Sequence, residues 1–408
     1  MVHYSCCRSQ SNRPCLWKVV VVQAPPDHRI TRIHVEKGCS GLPYVQEILA
    51  RLPGIPVREI PDRFRPEAPP SPPDLHKSKQ ELMLLKNRGR FLSSCPGTRE
   101  YRCCGYQVLD IGNGCPMDCV YCILQAYLNA PYLTFYVNIE DLFAELDHHL
   151  AVDQKRFHRI GTGEFTDSMA LDRVTGLSRR LIEFFAEKDS CMLELKSKAV
   201  VLDHVLSARH NGRTIMAWSV NSDQVAGKLE FFTAPVEERL EAASRCAAQG
   251  FPLAFHFDPI IRHPGWEEGY LRTVQQIFAR VPAEAIAWIS MGTFRCMPRL
   301  VKIIQQRFPG TTFMYDEFIP GLDNKLRYFR SVRVEMYRLL AAEIDRFRHP
   351  DTCLYLCMEN DAVWKEVFGF APEEQGGLDQ MLDRAAILAR QRALSLRGRG
   401  SEGVCRDG

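Results

Sequence analysis

Three cysteines crowd one short stretch of the chain. GNGCPMDCVYCILQAYLN, residues 112–129, carries Cys115, Cys119 and Cys122, with Tyr121 just before the last. Thiolates at such close spacing bind zinc or an iron–sulfur cluster. Structural zinc is normally closed by four protein ligands, commonly as two separated pairs, and no second pair at matching spacing accompanies this one. Three thiolates on a [4Fe–4S] cluster leave one iron open to a small molecule, which is a catalytic arrangement. The turn-rich run NGCPMDC lets the backbone wrap around such a centre. Further polar residues follow downstream. Gly161, Gly163 and Glu164 belong to the turn GTGE; glycines let the backbone approach a ligand closely, and a carboxylate suits an ammonium. Lys198 can hold a carboxylate, Ser219 and Asn221 can bind ribose hydroxyls, and His256 and Asp258 follow. Read singly, each is also an ordinary structural residue: GTGE a plain turn, His256 a satisfied core histidine.

These residues need elements to bring them together. From about residue 105, short apolar runs alternate with helical patterns. YQVLDI (106–111), FHRIG (157–161), CMLEL (191–195), TIMAWSV (214–220), PLAFHF (252–257) and AIAWISM (285–291) read as strands. NIEDLFAELDHHL, VTGLSRRLIEFFAEK, PVEERLEAASRCAAQ and YLRTVQQIFARV read as helices between them. Strands alternating with helices of about 10–15 residues predict parallel βα units. Six such runs predict an α/β fold with a partial (β/α)6 TIM-like barrel. Chemistry in such a barrel sits at the C-terminal strand ends. The cysteine loop follows the first strand and GTGE ends the second, so the candidates share that end.

A small N-terminal α/β unit with a proline-rich linker is expected over 1–75, from the strand WKVVVVQ (17–23), the helix YVQEILARL, the strand PVREI and the linker RFRPEAPPSPPDLHK. SKQELMLLKNRGR then reads as a basic helix-like stretch. The barrel is expected over 76–310, a C-terminal substrate-contacting extension over 311–394, and a disordered tail over 395–408.

Of the 408 residues, 46% are hydrophobic and 25% charged, as in soluble globular proteins. The net charge of +3 is too weak to indicate nucleic-acid binding by itself. No apolar run approaches the roughly 20 residues of a membrane span, and no export signal opens the chain. A cytoplasmic protein without membrane contact is expected. Its 16 cysteines should then be mostly reduced, with Cys191 and Cys246 as small core residues.

The cysteine stretch has the CxxxCxΦC form of the radical S-adenosylmethionine enzymes. From about Cys115 to Tyr270 the chain resembles the spore photoproduct lyase family. CPMDCVYCILQAYLN is similar to its cluster loop, LDHVLSARHNGRT followed by WSVNSD to its third helix and fourth strand, and GWEEGY (265–270) is another shared run. The resemblance implies a [4Fe–4S] cluster on Cys115, Cys119 and Cys122 whose open iron chelates S-adenosylmethionine. It places the cofactor's amino group at the turn of Gly161, Gly163 and Glu164, with Lys198, Ser219, Asn221 and His256 as further contacts. It implies an electron donor such as flavodoxin or ferredoxin, and direct reversal of a thymine dimer in DNA. In that reaction the adenosyl radical abstracts a hydrogen atom from the dimer, and a protein cysteine returns one to the product radical.

Two positions depart from the family. It carries the donor cysteine just after the second strand, where this chain has Glu164, and a tyrosine after the third cluster cysteine, where this chain has Ile123. Tyr121 then remains for the relay, and Cys296 is the expected relocated donor, with Cys353 and Cys357 behind it. Each of these cysteines also reads as a buried small residue. The basic aromatic stretch NKLRYFRSVR places Lys325, Arg327, Tyr328 and Arg330 where the family reaches its lesion, as phosphate and base contacts require. Two other readings stay open: the same cofactor acting on a different substrate, and a non-catalytic metal-binding module on nucleic acid.

Overall fold

The computed structural model describes residues 29–64, 75–98, 101–128 and 130–402. The expected strand WKVVVVQ and most of the proline-rich linker lie outside these. Among the described residues the chain is a mixed α/β fold on two main sheets. The smaller contains β1 (Arg32–Glu36), β2 (Val57–Ile60), β3 (Glu81–Leu85), β6 (Gly112–Asn113) and β8 (Leu133–Tyr136), in the order β2–β1–β3–β8–β6. The helix Pro43–Ala50 buries Tyr44, Val45 and Ile48. The stretch expected to be helix-like is here the strand β3. It lies between β1 and β8 with Leu82, Met83, Leu84 and Leu85 all buried. A strand covered on both faces reads as a continuous apolar run, which periodicity cannot separate from a helix.

The larger sheet has eight strands: β4 (Leu92–Ser94), β5 (Gln107–Leu109), β9 (His158–Gly161), β10 (Cys191–Ser197), β11 (Thr214–Ser219), β13 (Leu253–Ile260), β14 (Ile286–Thr293) and β18 (Cys353–Leu356). Their order is β18–β14–β13–β11–β10–β9–β5–β4, with every neighbouring pair parallel except β4 with β5. The six runs read as strands are here side by side in chain order, and β18 extends the parallel set beyond residue 310. The sheet is curled into a half-barrel. Flat strands three apart would lie about 14 Å from one another, yet Trp288 Nε1 on β14 donates to Glu194 Oε1 on β10 at 3.2 Å. Helices cover the convex face; Leu177–Ala186, for example, buries Leu177, Leu181, Ile182 and Phe185 at helical spacing.

Smaller pairings complete the frame. β7 (Asp118–Cys119) pairs antiparallel with β12 (Glu230–Phe231), and β15 (Arg295–Cys296), β16 (Phe318–Pro320) and β17 (Leu326–Tyr328) form a three-stranded sheet in the order β15–β17–β16. The tail expected to be disordered from residue 395 is instead the end of the helix Leu378–Glu402. Ala393 is buried and Leu396 packs against the core, which anchors that helix despite its polar end. Residues 403–408 lie outside the described set.

The connection from β10 to β11 depends on His210. Its Nδ1 accepts from the Gly212 N–H at 3.0 Å, its Nε2 donates to the Gln249 carbonyl at 3.1 Å, and its ring stacks on Phe251. The neutral imidazole alone makes both bonds, and burial lowers its pKa to about 4. The unfolded chain takes up that proton near pH 6.5. This contribution to stability is therefore complete above about pH 6.5 and is lost as pH falls towards 4, by up to about 3 kcal/mol. Urea unfolding at about pH 7 and about pH 4.5 should show that loss, and it should shrink in His210→Gln. An unchanged acid-side loss in the variant would exclude His210 as its source.

Candidate active site

The three-cysteine loop leaves the C-terminal end of β5 and is shaped by close backbone contacts. A Cβ at Gly112 would fall 2.1 Å from the Thr134 carbonyl, and Gly114 sits at φ +86°, so both positions need glycine. β7 ties Cys119 to Glu230 and Asp118 to Phe231. Three cations brace the outer side. Arg29 Nη1 donates to the Pro116 carbonyl at 2.8 Å, Lys79 Nζ to the Met117 carbonyl and to Asp118 Oδ1, and Arg307 Nη2 to both Asp118 oxygens at 2.9 and 3.0 Å. Burial pushes the Asp118 carboxyl up, but Lys79 and Arg307 outweigh it and hold it below the usual range.

Behind the loop lies a cavity of about 370 Å3 at the C-terminal strand ends. Cys115, Cys119, Cys122 and Tyr121 line it. So do Gly163 and Glu164 after β9, Lys198 after β10, Ser219 at the end of β11 and His256 in β13. A larger open groove of about 870 Å3 beside Trp266 and Phe308 holds none of these residues. Asp167 fixes the turn after β9: Oδ1 accepts from the Met169 and Ala170 N–H groups and from Ser197 Oγ, and Oδ2 accepts from the Lys198 N–H at 3.0 Å. Tyr121 donates its hydroxyl to Glu230, which is also bonded by Asn221 and paired with Arg239 at 2.7 Å, with both charged side chains 0% exposed. Burial pushes Glu230 up, and Arg239, Lys198 and the Tyr121 hydroxyl together more than offset it.

Several candidates sit elsewhere. Gly161 lies beneath Tyr106, where a Cβ would meet Tyr106 Oη at 1.9 Å; it is a packing glycine, outside the cavity lining. Asn221 has its side chain committed to Glu230, the Pro259 carbonyl and Tyr270. Cys296 is fully buried in the small sheet, where burial raises its thiol to about 12, and it does not line the cavity. Cys353 is likewise buried away from it, whereas Cys357 lines it. Of the basic aromatic stretch only Lys325 reaches the cavity. Arg327 and Tyr328 are buried in β17: Arg327 pairs with Asp323 at 2.8 Å and covers the Tyr101 ring, and the Tyr328 hydroxyl accepts from the Arg262 N–H. A buried guanidinium already paired cannot meet a phosphate. Arg330 is exposed and paired with Glu366.

The inner wall adds Glu194, Lys196, Ser290 and Arg295, which sequence reasoning missed, to His256, Asp258 and Cys357, which it named. His256 Nε2 lies 2.9 Å from Glu194 Oε1, and its Nδ1 2.7 Å from Ser290 Oγ. Burial would raise Glu194, but His256 and Lys196 hold it below the usual range. Arg295 grips Asp258 with two bonds of 3.0 and 3.2 Å and donates to Cys357 Sγ at 3.4 Å. Cys95, Cys103, Cys104 and Tyr106, from the connection between β4 and β5, close one side. Strand-end position was the available signal for Glu194 and Lys196. The cysteines of the β4–β5 connection carried none.

The donor set suits an iron–sulfur cluster. Burial pushes the Cys115 thiol up and the Cys119 thiol to about 12, so thiolates there need nearby positive charge. Among the described residues no three His, Cys, Asp or Glu side chains converge on one ion. Cysteines that each hold a different iron need not converge.

Comparison with known proteins agrees with this geometry. The spore photoproduct lyase family matches residues 88–328. The spore photoproduct lyase of Bacillus subtilis (strain 168) is 29% identical over 294 residues, covering 70% of this chain and 84% of that protein. That of Geobacillus sp. (strain Y412MC61) is 28% identical over 293 residues, with the same coverage of 70% and 84%. A solved double mutant of spore photoproduct lyase with bound AdoMet and dinucleoside spore photoproduct superposes with a TM-score of 0.71 at 25% identity, covering 80% of this chain and 98% of that one.

Proposed function

This chain belongs to the spore photoproduct lyase family, and on that premise we propose that it is a radical S-adenosylmethionine enzyme that repairs a thymine photodimer in DNA. The observation that carries the reading is that Cys115, Cys119 and Cys122 line one cavity with Glu164, Lys198 and Ser219 at the strand ends. In this reading the six central parallel strands are the family's partial (β/α)6 barrel. The three cysteines would hold the [4Fe–4S] cluster, which with S-adenosylmethionine would supply a 5′-deoxyadenosyl radical when bound.

The chain's own residues bind and orient. Glu164 takes the cofactor's ammonium and Lys198 its carboxylate, charge against charge. Ser219 takes a ribose hydroxyl. Tyr121, its hydroxyl committed to Glu230, lines the same cavity and would present its ring to a bound cofactor. Lys325 meets a substrate phosphate at the cavity mouth. The buried walls exclude water, which would otherwise screen these contacts. An external one-electron donor of the flavodoxin or ferredoxin kind is required.

A second reading keeps the cofactor and changes the substrate. Glu164 in place of a donor cysteine favours it, as do the Glu194–His256 hydrogen bond and the Asp258–Arg295 ion pair in the inner wall, which uncharged thymine bases do not call for. Anaerobic reconstitution separates the readings. About four irons per chain, reductive release of 5′-deoxyadenosine, and recovery of thymine dinucleotide from dinucleotide spore photoproduct are expected. Iron and cleavage without thymine recovery would favour the second reading. Zinc in place of iron, with no cleavage, would overturn both.

A further inference from the structure

We propose that Cys357 is the hydrogen-atom donor of this enzyme, delivering from the half of the cavity opposite the cofactor residues. The inference rests on the radical chemistry proposed above. Strand order divides the cavity wall. Glu164 and Lys198 follow β9 and β10 and Ser219 ends β11, whereas Asp258, Arg295 and Cys357 lie in or just after β13, β14 and β18. A substrate between the two halves has the cofactor on one side and the Cys357 thiol on the other.

Four cysteines line the cavity besides the three of the loop: Cys95, Cys103, Cys104 and Cys357. The first three sit in the connection between β4 and β5, and Cys103 is exposed to solvent. Cys357 sits at a strand end, its N–H bonded to the Met291 carbonyl at 2.8 Å. Its Sγ accepts from Arg295, itself locked by two bonds to Asp258. Groups held on strands keep tighter geometry than groups on loops.

The surroundings also favour the right chemical state. A hydrogen-atom donor must be a thiol, whereas a nucleophile must be a thiolate. Burial and Asp258 push the Cys357 thiol up, and Arg295 only partly opposes them. Arg295 donates to the sulfur, and Asp258 accepts from the S–H bond and so fixes its direction. In the step itself that bond breaks homolytically. Its hydrogen forms the new C–H bond on the substrate radical, and the unpaired electron stays on Sγ. One electron from the external reductant and one solvent proton restore the thiol.

Two measurements on the reconstituted enzyme test this. First, prolonged alkylation with N-ethylmaleimide at mildly alkaline pH, mapped by peptide mass, should modify Cys357 slowly, because its thiol is held protonated, yet faster than Cys296 and Cys353, which do not reach the cavity. Labelling of Cys357 no faster than that of Cys296 would overturn the proposal, whatever the substrate. Second, repair of the dinucleotide in heavy water should place deuterium in the thymine product. Cys357→Ala and Cys357→Ser should both lower that incorporation by about tenfold or more, with iron content and unfolding midpoint unchanged, and Cys296→Ala should not. Full deuterium incorporation in both Cys357 variants would also overturn it. Failure of the wild type to act on the dinucleotide removes the substrate reading instead, and the alkylation result then decides for or against Cys357.

Discussion

Alanine at Cys115, Cys119 or Cys122 is expected to strip iron from the reconstituted protein and end S-adenosylmethionine cleavage. Iron should fall from about four per chain to a small remainder, and cleavage below about one-thousandth of wild type, a barrier change of about 4 kcal/mol. The reason is geometric. The loop is held by glycine contacts at Gly112 and Gly114, by β7 against β12, and by cations outside it. Among the described residues no further three-ligand group stands by to replace a lost thiolate. The fold should scarcely notice, because truncating a cysteine removes one sulfur atom and costs about 1 kcal/mol. Iron analysis and urea unfolding on the same samples separate the two effects. A variant that folds normally and keeps its iron would show that the replaced cysteine is no ligand.

Arg239→Met is expected to cost about 3–5 kcal/mol of folding stability. Both side chains of the Arg239–Glu230 pair are 0% exposed. Arg239 also donates to the Ala234 and Ser219 carbonyls and to Thr233 Oγ1. Removing the guanidinium leaves a buried carboxylate facing Tyr121 and Asn221 without its paired charge, with Lys198 acting on it only at a distance, and orphans two carbonyls. Removing Glu230 as well should recover part of the loss, because two apolar side chains need no pairing. The double variant should still load iron poorly, since Tyr121 then lacks the acceptor that fixes it. Urea unfolding gives the first result and iron analysis the second. A loss below about 1 kcal/mol in the single variant would show that the pair is not the buried charge pair argued for here.

What the sequence made legible follows from period and spacing. The six parallel strands were readable because each is a short apolar run set off by an amphipathic helix, such as Leu177–Ala186. The cysteine loop was readable because its three thiols are local. β3 was misread because a strand buried on both faces has no alternation to show. The tail was misread because its composition is polar, while its anchoring, through Ala393 and Leu396, is tertiary. Cys296 and Cys357 look alike in sequence, each ending an apolar run. Their difference lies in pairing: β15 is folded into a separate small sheet, while β18 joins the main one. Arg327 and Tyr328 failed for the same reason, since a basic aromatic strand gives no sign of which neighbours will bury it. The Asp258–Arg295–Cys357 group joins three distant segments, which no local pattern announces.

The brace behind the cysteine loop bears on the order of assembly. Arg29 and Lys79 precede the loop in the chain, but Arg307 bonds Asp118 across a separation of 189 residues. Glu230, the partner of Tyr121, follows that tyrosine by 109 residues. A chain still emerging from the ribosome therefore holds three cysteines in a loop that cannot yet take its final shape. The site is completed only when nearly the whole parallel sheet has been made. Uptake of iron would then report that folding is finished, and would not nucleate it.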